Sequence, residues 1–476
     1  MLAALILFPL FFAALAFLLP WYQGRSWMLP LAGTLHLLLA SFLVVGQSPV
    51  AAPGAWIGLD SLSKIVLLAT SLLFCSCAFY AVDYLKLHRA RGNKVMAPCL
   101  LIFLSAMTLA VVARHLGVLW MAVETTTLAS APLIYYNRNR LSIEATWKYL
   151  LICSVGIALA MFGILFIAYS ALGGAGPATL QFDRLLAAAP SLASPWLHAG
   201  FVFLLVGFGT KMGLAPLHTW KPDAYGEAPA VVGALLAGGL TSVAFLAIVR
   251  GVQLMGAAGD LTMARHALLG MGLLSLLLAA VFMVRQPDIK RMLAYSSVEH
   301  MGILAIGVGI GGLATYGALL HLVNNALTKG CLFLSAGNIQ RAFASKNLSE
   351  VRGAIAAVPV SGTLFLVGFL AITGSPPFGL FMSEFTILRG IFSGGHTAVG
   401  VAFLSLLAMI FIGMGATVLA ATQGETTEKK VLFKDRFLLV APPLVLILVV
   451  LLLGLYIPEP LRALLQNAAN LLEGKS

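Results

Sequence analysis

Lys211 sits near the middle of an apolar stretch, L-L-V-G-F-G-T-K-M-G-L-A-P-L-H-T-W-K-P, running from Leu204 to Pro222. A cation at bilayer depth costs roughly 2.5–3.5 kcal/mol even on lenient insertion scales, so its retention implies a use. Pro216 and His218 follow at once. Gly and Pro at that depth free backbone groups that only protein or a water-filled cavity can satisfy. The chemistry these residue types allow together is the passage of an ion or a proton. The series continues along the chain: Glu124 in L-W-M-A-V-E-T-T-T, Glu299 and His300 in Y-S-S-V-E-H-M-G, then His321, Asn325 and Lys329. The last three stand at i, i+4 and i+8, one polar stripe down a helix face. Glu384 closes the series just after a second break, T-G-S-P-P-F-G-L-F-M-S-E-F. Burial disfavours charge and a nearby opposite charge restores it. A Glu124–Lys211 pair would therefore hold or release the lysine's proton as it closes or opens. His218, His300, His321 and the hydroxyls of Ser296, Ser297 and Thr328 could bridge the gaps through water.

The elements that must position these groups are membrane spans. Of 476 residues, 60% are hydrophobic and 10% charged, against about 25% charged in soluble domains, and mean hydropathy is +0.99. Apolar stretches near the ~20 residues a bilayer requires occur at 2–22, 27–46, 62–85, 96–113, 116–136, 147–171, 197–215, 229–249, 262–284, 292–313, 316–338, 358–381, 398–422 and 437–457, about 14 in all. The first has no basic n-region or small-residue cleavage site, so it reads as a span rather than a signal peptide. The net charge of +12 is a topology signal before it is a footprint for nucleic acid. The odd-numbered loops carry 19 Lys and Arg, the other side 8, and Lys211 and Lys329 lie inside spans, which accounts for all 29. The positive-inside rule then puts both termini on the outer, periplasmic side of an inner membrane. Lys86, Arg89, Arg91 and Lys94 in the 3/4 loop, and Lys429, Lys430, Lys434 and Arg436 in the 13/14 loop, belong to this signal.

The expected fold class is an all-α polytopic membrane protein. The two breaks, each beside one ionisable residue, lie five spans apart and so in opposite orientations. Paired broken helices of this kind point to a site near the bilayer midplane between two inverted five-helix repeats. The expected division is helices 1–3 in residues 1–95, the first repeat in 96–250, the second in 251–425, and helix 14 with a short tail in 426–476. Stretches near 172–196 and 340–357 have the amphipathic character of interfacial segments. Cys75, Cys77, Cys99, Cys153 and Cys331 all fall in apolar spans without metal-type spacing and read as small core residues. No nucleotide loop, iron–sulfur set or haem pattern occurs, so no cofactor, metal or catalytic redox site is expected on this chain. Each ionisable residue also has a plainer reading: an intramembrane Glu or Lys can lock helices together, His321 can be a packing histidine, and Asn325 can join helices. His36, His115, His266 and His396 stand outside the series, and Asp83 near a span end reads as a cap or a partner.

The stretches G-T-K-M-G-L-A-P-L-H-T-W-K-P-D-A, D-I-K-R-M-L-A-Y-S-S-V-E-H-M-G and H-L-V-N-N-A-L-T-K resemble the antiporter-like subunits of respiratory complex I, Mrp-type sodium/proton antiporters and energy-converting hydrogenases. The likeness covers nearly the whole chain. Glu299 in Y-S-S-V-E-H-M-G, together with P-P-F-G-L-F-M-S-E-F, leans toward the hydrogenase-4 F-type and formate-hydrogenlyase-related branch. The resemblance implies Glu124 as the fifth-helix glutamate paired with Lys211 on the seventh. It implies Lys329 and His321 as the eleventh-span lysine and histidine, and Glu384 as the terminal acid. It implies as partners other membrane-arm subunits and a soluble redox module, hydrogenase-like or complex I-like. The eighth span departs from the pattern. It has no ionisable residue before Arg250, only Thr241 and Ser242, and Asn325 stands where some relatives have a second histidine. The short tail resembles that of a mid-size member. Two other functions remain open at this stage: sodium/proton exchange without redox chemistry, and a non-conducting structural role.

Overall fold

A computed structural model describes residues 1–46, 54–173, 178–423 and 433–474. Lys429 and Lys430 of the 13/14 loop lie outside them. The described chain is helical. The helices are α1 (Leu2–Leu18), α2 (Tyr22–Val45), α3 (Ser61–Leu87), α4 (Met96–Val112), α5 (Leu116–Ile134), α6 (Arg140–Gly173) and α7 (Phe182–Ala188). Then come α8 (Ser194–Met212), α9 (Trp220–Glu227), α10 (Ala230–Ala234), α11 (Thr241–Ala257), α12 (Leu261–Met283), α13 (Ile289–Ile310) and α14 (Leu313–Phe343). The series ends with α15 (Ala354–Ala357), α16 (Pro359–Ile372), α17 (Gly379–Ser393), α18 (Thr397–Gln423), α19 (Phe437–Leu455) and α20 (Glu459–Leu472). Among the described residues, extended backbone pairs only as isolated bridges.

Among the described residues, nine helices are long and apolar enough to cross a membrane, and α1, α4 and α16 are shorter apolar helices. The helices carrying Lys211 and Lys329, α8 and α14, stand outside both groups. Burial sorts the nine into an inner and an outer set. The apolar window of Ala230–Ala257 is wholly buried, those of α3 and α13 are 83% and 89% buried, while α18 stands at 33%. The inner helices thus meet protein on all sides, and outer ones such as α6 and α18 present Leu151, Val155 and Ile412 outward. The five cysteines are free, Cys99 partly buried and the rest buried. Lys86, Arg89, Arg91, Lys94, Lys434 and Arg436 are exposed at helix ends.

Both sequence breaks are present. Helix α8 stops at Gly213, whose φ of +78° favours glycine, and the short α9 follows. After α16 the chain turns through Gly374, φ +67°, before α17 begins. The 358–381 stretch is therefore two helical pieces, with Glu384 on the second. Between α10 and α11 the backbone widens into a π-helical turn, Leu235–Leu240, a feature that often accompanies function. Gly238 in that turn lets the main chain lie against Ala326 of α14, where a Cβ would stand 2.6 Å from a carbonyl oxygen.

An ion-pair cluster ties the helix ends at one edge. Asp60 caps α3 by accepting from the Ser63 backbone N–H at 2.9 Å. Its carboxylate also pairs with Arg250 and, at 3.0 Å, with Arg114, which reaches on to Asp183. Burial alone would raise the Asp60 carboxyl, but Arg250, the Ser63 amide and Arg114 together hold it well below the usual carboxylate range. Its stabilisation is thus present above the ordinary Asp range and is lost as pH falls through the lowered value. Asp60→Asn leaves the Arg250 guanidinium, 4% exposed, without its anion. Uncompensated buried charges of this kind cost about 3–5 kcal/mol. A clear drop in the thermal midpoint of the detergent-solubilised protein is expected at pH 7, and a midpoint equal to wild type contradicts the account.

Candidate functional site

The site is built from hydrophobic helices that leave their few polar side chains no partners except one another. On α5, Thr127 follows Glu124 by three residues and so shares its face. Its hydroxyl donates to Glu124 Oε2 at 3.0 Å and accepts from Lys211 Nζ at 2.8 Å. Lys211 is fully buried at the end of α8. Its second bond goes to the Tyr149 hydroxyl on α6 at 2.7 Å, and the ammonium lies 4.7 Å from that ring's centroid. Ser130 uses its proton on the Thr126 carbonyl, so Tyr149 donates to Ser130 at 2.6 Å. Glu124 and Lys211 are thus joined through Thr127 rather than in direct contact.

The next member was counted among loop charges. Lys221, on α9, is fully buried. Its Nζ donates to Ser297 Oγ at 3.1 Å and lies 5.8 Å from the Tyr225 ring centroid. The neighbouring Ser296 accepts from Lys329 Nζ at 2.7 Å, and Lys329 also reaches the Leu293 carbonyl at 3.4 Å. Two adjacent serines on α13 thus each accept from a buried lysine, Ser297 from that of α9 and Ser296 from that of α14. Sequence reading missed Lys221 because W-K-P-D-A sits in a short polar connection that resembles a loop. Thr127 was legible from its spacing to Glu124; nothing local marks Tyr149.

Gly213 is part of this arrangement. A Cβ there would collide with the Lys221 side chain, and a left-handed non-glycine residue costs about 1–2 kcal/mol. Gly213→Ala is expected to lower both the thermal midpoint and transport. Unchanged values for both would mean that Lys221 is not held by this turn.

Further along, His300 Nδ1 and His321 Nε2 are 3.0 Å apart, and His321 Nδ1 lies 3.0 Å from Ser383 Oγ on α17. Glu299 Oε2 is 3.8 Å from His300 Nε2. Glu384 Oε1 is buried without a hydrogen-bond partner, as are Asn324 Oδ1 and both amide atoms of Asn325. The polar groups of α13, α14 and α17 thus converge on one point. His218 is buried beside Tyr295, its Nδ1 unpartnered, outside this chain of bonds. Thr241 and Ser242 donate to the carbonyls of Ala237 and Gly238 in their own helix, each at 2.6 Å. The lysines of α9 and α14 meet α13 at Ser297 and Ser296 respectively. Glu124, Lys211, Glu299, His300, His321, Lys329 and Glu384 are all buried or partly buried. Among the described residues no direct hydrogen bond joins Tyr149 to Lys221, Ser297 to Ser296, Lys329 to His300, or Glu384 to either histidine.

A helical membrane protein with ionisable groups strung across its buried centre is the frame of an antiporter-like subunit. The family model described as NADH:quinone oxidoreductase/Mrp antiporter, TM, matches residues 113–411, more than half of the chain, and the chain belongs to that family. It is 35% identical over 430 residues to a hydrogenase-4 component F homolog of Methylacidiphilum infernorum (isolate V4), covering 86% of this chain and 90% of that one. It is 31% identical over 372 residues to hydrogenase-4 component B of Escherichia coli (strain K12), covering 75% of this chain but only 54% of the longer relative. Its fold matches a chain of respiratory complex I from Thermus thermophilus with TM-score 0.83 and 26% identity, covering 99% and 100% of the two chains. A chain of the Mrp complex from Dietzia sp. DQ12-45-1b gives TM-score 0.86 at 20% identity, covering 99% and 98%. These neighbours are subunits of multi-subunit membrane complexes, and this chain is an integral, multi-pass membrane protein of the same kind.

Proposed function

We propose that this chain moves protons across the inner membrane as the antiporter-like subunit of a redox-driven complex. The observation that carries the reading is the series of buried contacts Glu124–Thr127–Lys211–Tyr149, Lys221–Ser297, Ser296–Lys329 and His300–His321, with Glu384 beside the last pair. Each lysine has a hydroxyl in contact rather than a carboxylate, so a proton can leave it without separating a buried ion pair. Opening and closing of Glu124–Lys211 would load or unload the row, each step worth roughly 1.4 kcal/mol per unit of pKa change. The row would carry charge between two inverted five-helix units, 96–250 and 251–425, in a frame of fourteen spans. The glycine turns at Gly213 and Gly374 support that pairing. Residues 1–95 and 426–476 would flank the two units, and both termini would lie on the periplasmic side.

The likeness to hydrogenase-4 component F favours a partner module of hydrogenase type, with formate-linked or related chemistry in a soluble arm. The electron-transfer centres would belong to that arm, and this chain would bind no cofactor. Purification from native membranes in mild detergent tests the assignment. A co-purifying nickel–iron hydrogenase-like or complex I-like iron–sulfur module is expected. Recovery of only small membrane subunits of the antiporter type would transfer the reading to secondary sodium/proton exchange.

A further inference from the structure

We infer that His300, His321 and Glu384 form a binding site for a divalent transition cation, with zinc the best-matched ion, and that the ion blocks the row by occupying the place of the shared proton. The second part rests on the proton-transport reading; the first does not. One nitrogen of each imidazole and one Glu384 oxygen lie within 4.8 Å of one another. The two nitrogens are 3.0 Å apart, close to the about 3.3 Å separating two ligands held at 2.0–2.1 Å on a tetrahedral zinc ion. Two imidazoles and a carboxylate form a set that suits zinc and its neighbours better than magnesium or calcium.

The surroundings orient the ligands. The Ser383 hydroxyl donates to the Leu380 carbonyl at 2.8 Å, so toward His321 Nδ1 it can only accept. His321 therefore carries its proton on Nδ1 and presents the lone pair of Nε2. His300 Nδ1 now donates to that lone pair, which leaves His300 Nε2 buried with no partner. On metal binding the His300 proton shifts from Nδ1 to Nε2, where Glu299 Oε2 stands 3.8 Å away. Both imidazoles are neutral before and after, and the vacated Nδ1 lone pair goes to the metal. Hydrogen-bonded partners behind ligating histidines are the usual means of fixing such rings. Glu384 Oε1, also unpartnered, is free to close the remaining distance. Glu384 is only partly buried while both histidines are buried, so the ion arrives past α17.

The test uses the full chain in detergent. Zinc chloride is titrated calorimetrically, and cobalt(II) serves as an optical probe of tetrahedral geometry. The expected result is one ion per chain, with affinity at least tenfold weaker in His321→Asn and in Glu384→Gln. Glu384→Gln is the variant that guards against misfolding, because its carboxylate oxygen has no partner to lose. Ser383→Ala, which removes only the orienting hydroxyl, should weaken binding about 10–100-fold. Undiminished binding in His321→Asn and Glu384→Gln would place the ion on surface histidines and overturn the site. So would the absence of any stoichiometric binding. In everted vesicles, zinc should slow proton movement in wild type, and Ser383→Ala should need about 10–100-fold more zinc for half-inhibition, each rate taken relative to the same protein without zinc. Stoichiometric binding without inhibition would overturn the block, since protons would then bypass the two histidines, and leave the site standing.

Discussion

Lys211→Met is expected to reduce proton movement in everted membrane vesicles to background while the protein still assembles and unfolds at close to the wild-type temperature. Methionine keeps the length of the side chain and removes only its charge and its donors. Two losses and one gain decide stability. The Tyr149 and Thr127 oxygens each lose a donor, at 2.7 and 2.8 Å, and an unsatisfied buried acceptor costs about 1–3 kcal/mol. Against this, a fully buried ammonium disappears, and its residual desolvation cost is several kcal/mol. Thr127 retains its bond to Glu124. The fold should therefore survive, and the loss should lie in the proton carrier itself. Normal transport in a well-folded Lys211→Met protein would sink the proposed row at its first lysine.

Lys221→Met should have an effect of similar size on transport and, unlike Lys211→Met, should raise stability. The Lys221 ammonium is fully buried, and its contacts are one hydrogen bond at 3.1 Å and a tyrosine ring at 5.8 Å. Few interactions offset its desolvation, so replacing it with an apolar side chain of matching length should raise the thermal midpoint. Transport should nevertheless fall to near background, because Ser297, beside the Ser296 that holds Lys329, would then meet no lysine on the α9 side. A charge-only role can be separated from a proton-carrying one with Ser297→Ala. That variant keeps both lysines and should still slow transport, since the hydroxyl that meets Lys221 is gone. If Lys221→Met is more heat-stable and transports normally, the row must cross by another route.

This lysine also marks where sequence reading stops. The membrane class, the identity of most ionisable members and the two helix breaks follow from sequence because the bilayer makes local composition decisive. A charge in twenty apolar residues, or a Gly and Pro beside it, can be read with no knowledge of neighbours. The stripe His321–Asn325–Lys329 follows equally from helical period. Lys221 has no such signature. Its burial comes from α9 packing against α6 and α13, the latter a contact between residues 76 positions apart. The same holds for Tyr149, brought to Lys211 from 62 residues away, and for Ser383, brought to His321 from the same distance. Thr241 and Ser242 were reasonable bridging residues by position, yet both hydroxyls are spent on their own helix, as Ser and Thr commonly are at that spacing.

By itself the sequence determined that this is a polytopic helical membrane protein of the complex I and Mrp antiporter family, and which apolar stretches carry acids, bases and imidazoles. The tertiary structure alone decided which of them touch. It interposed Thr127 between Glu124 and Lys211, brought Lys221 to Ser297 beside the Ser296 that holds Lys329, and set two hydrogen-bonded histidines within 4.8 Å of Glu384. The reason is physical. Desolvation of a charge is a property of the segment that carries it, whereas a hydrogen bond between helices depends on packing angles and on glycine turns that distant segments set together.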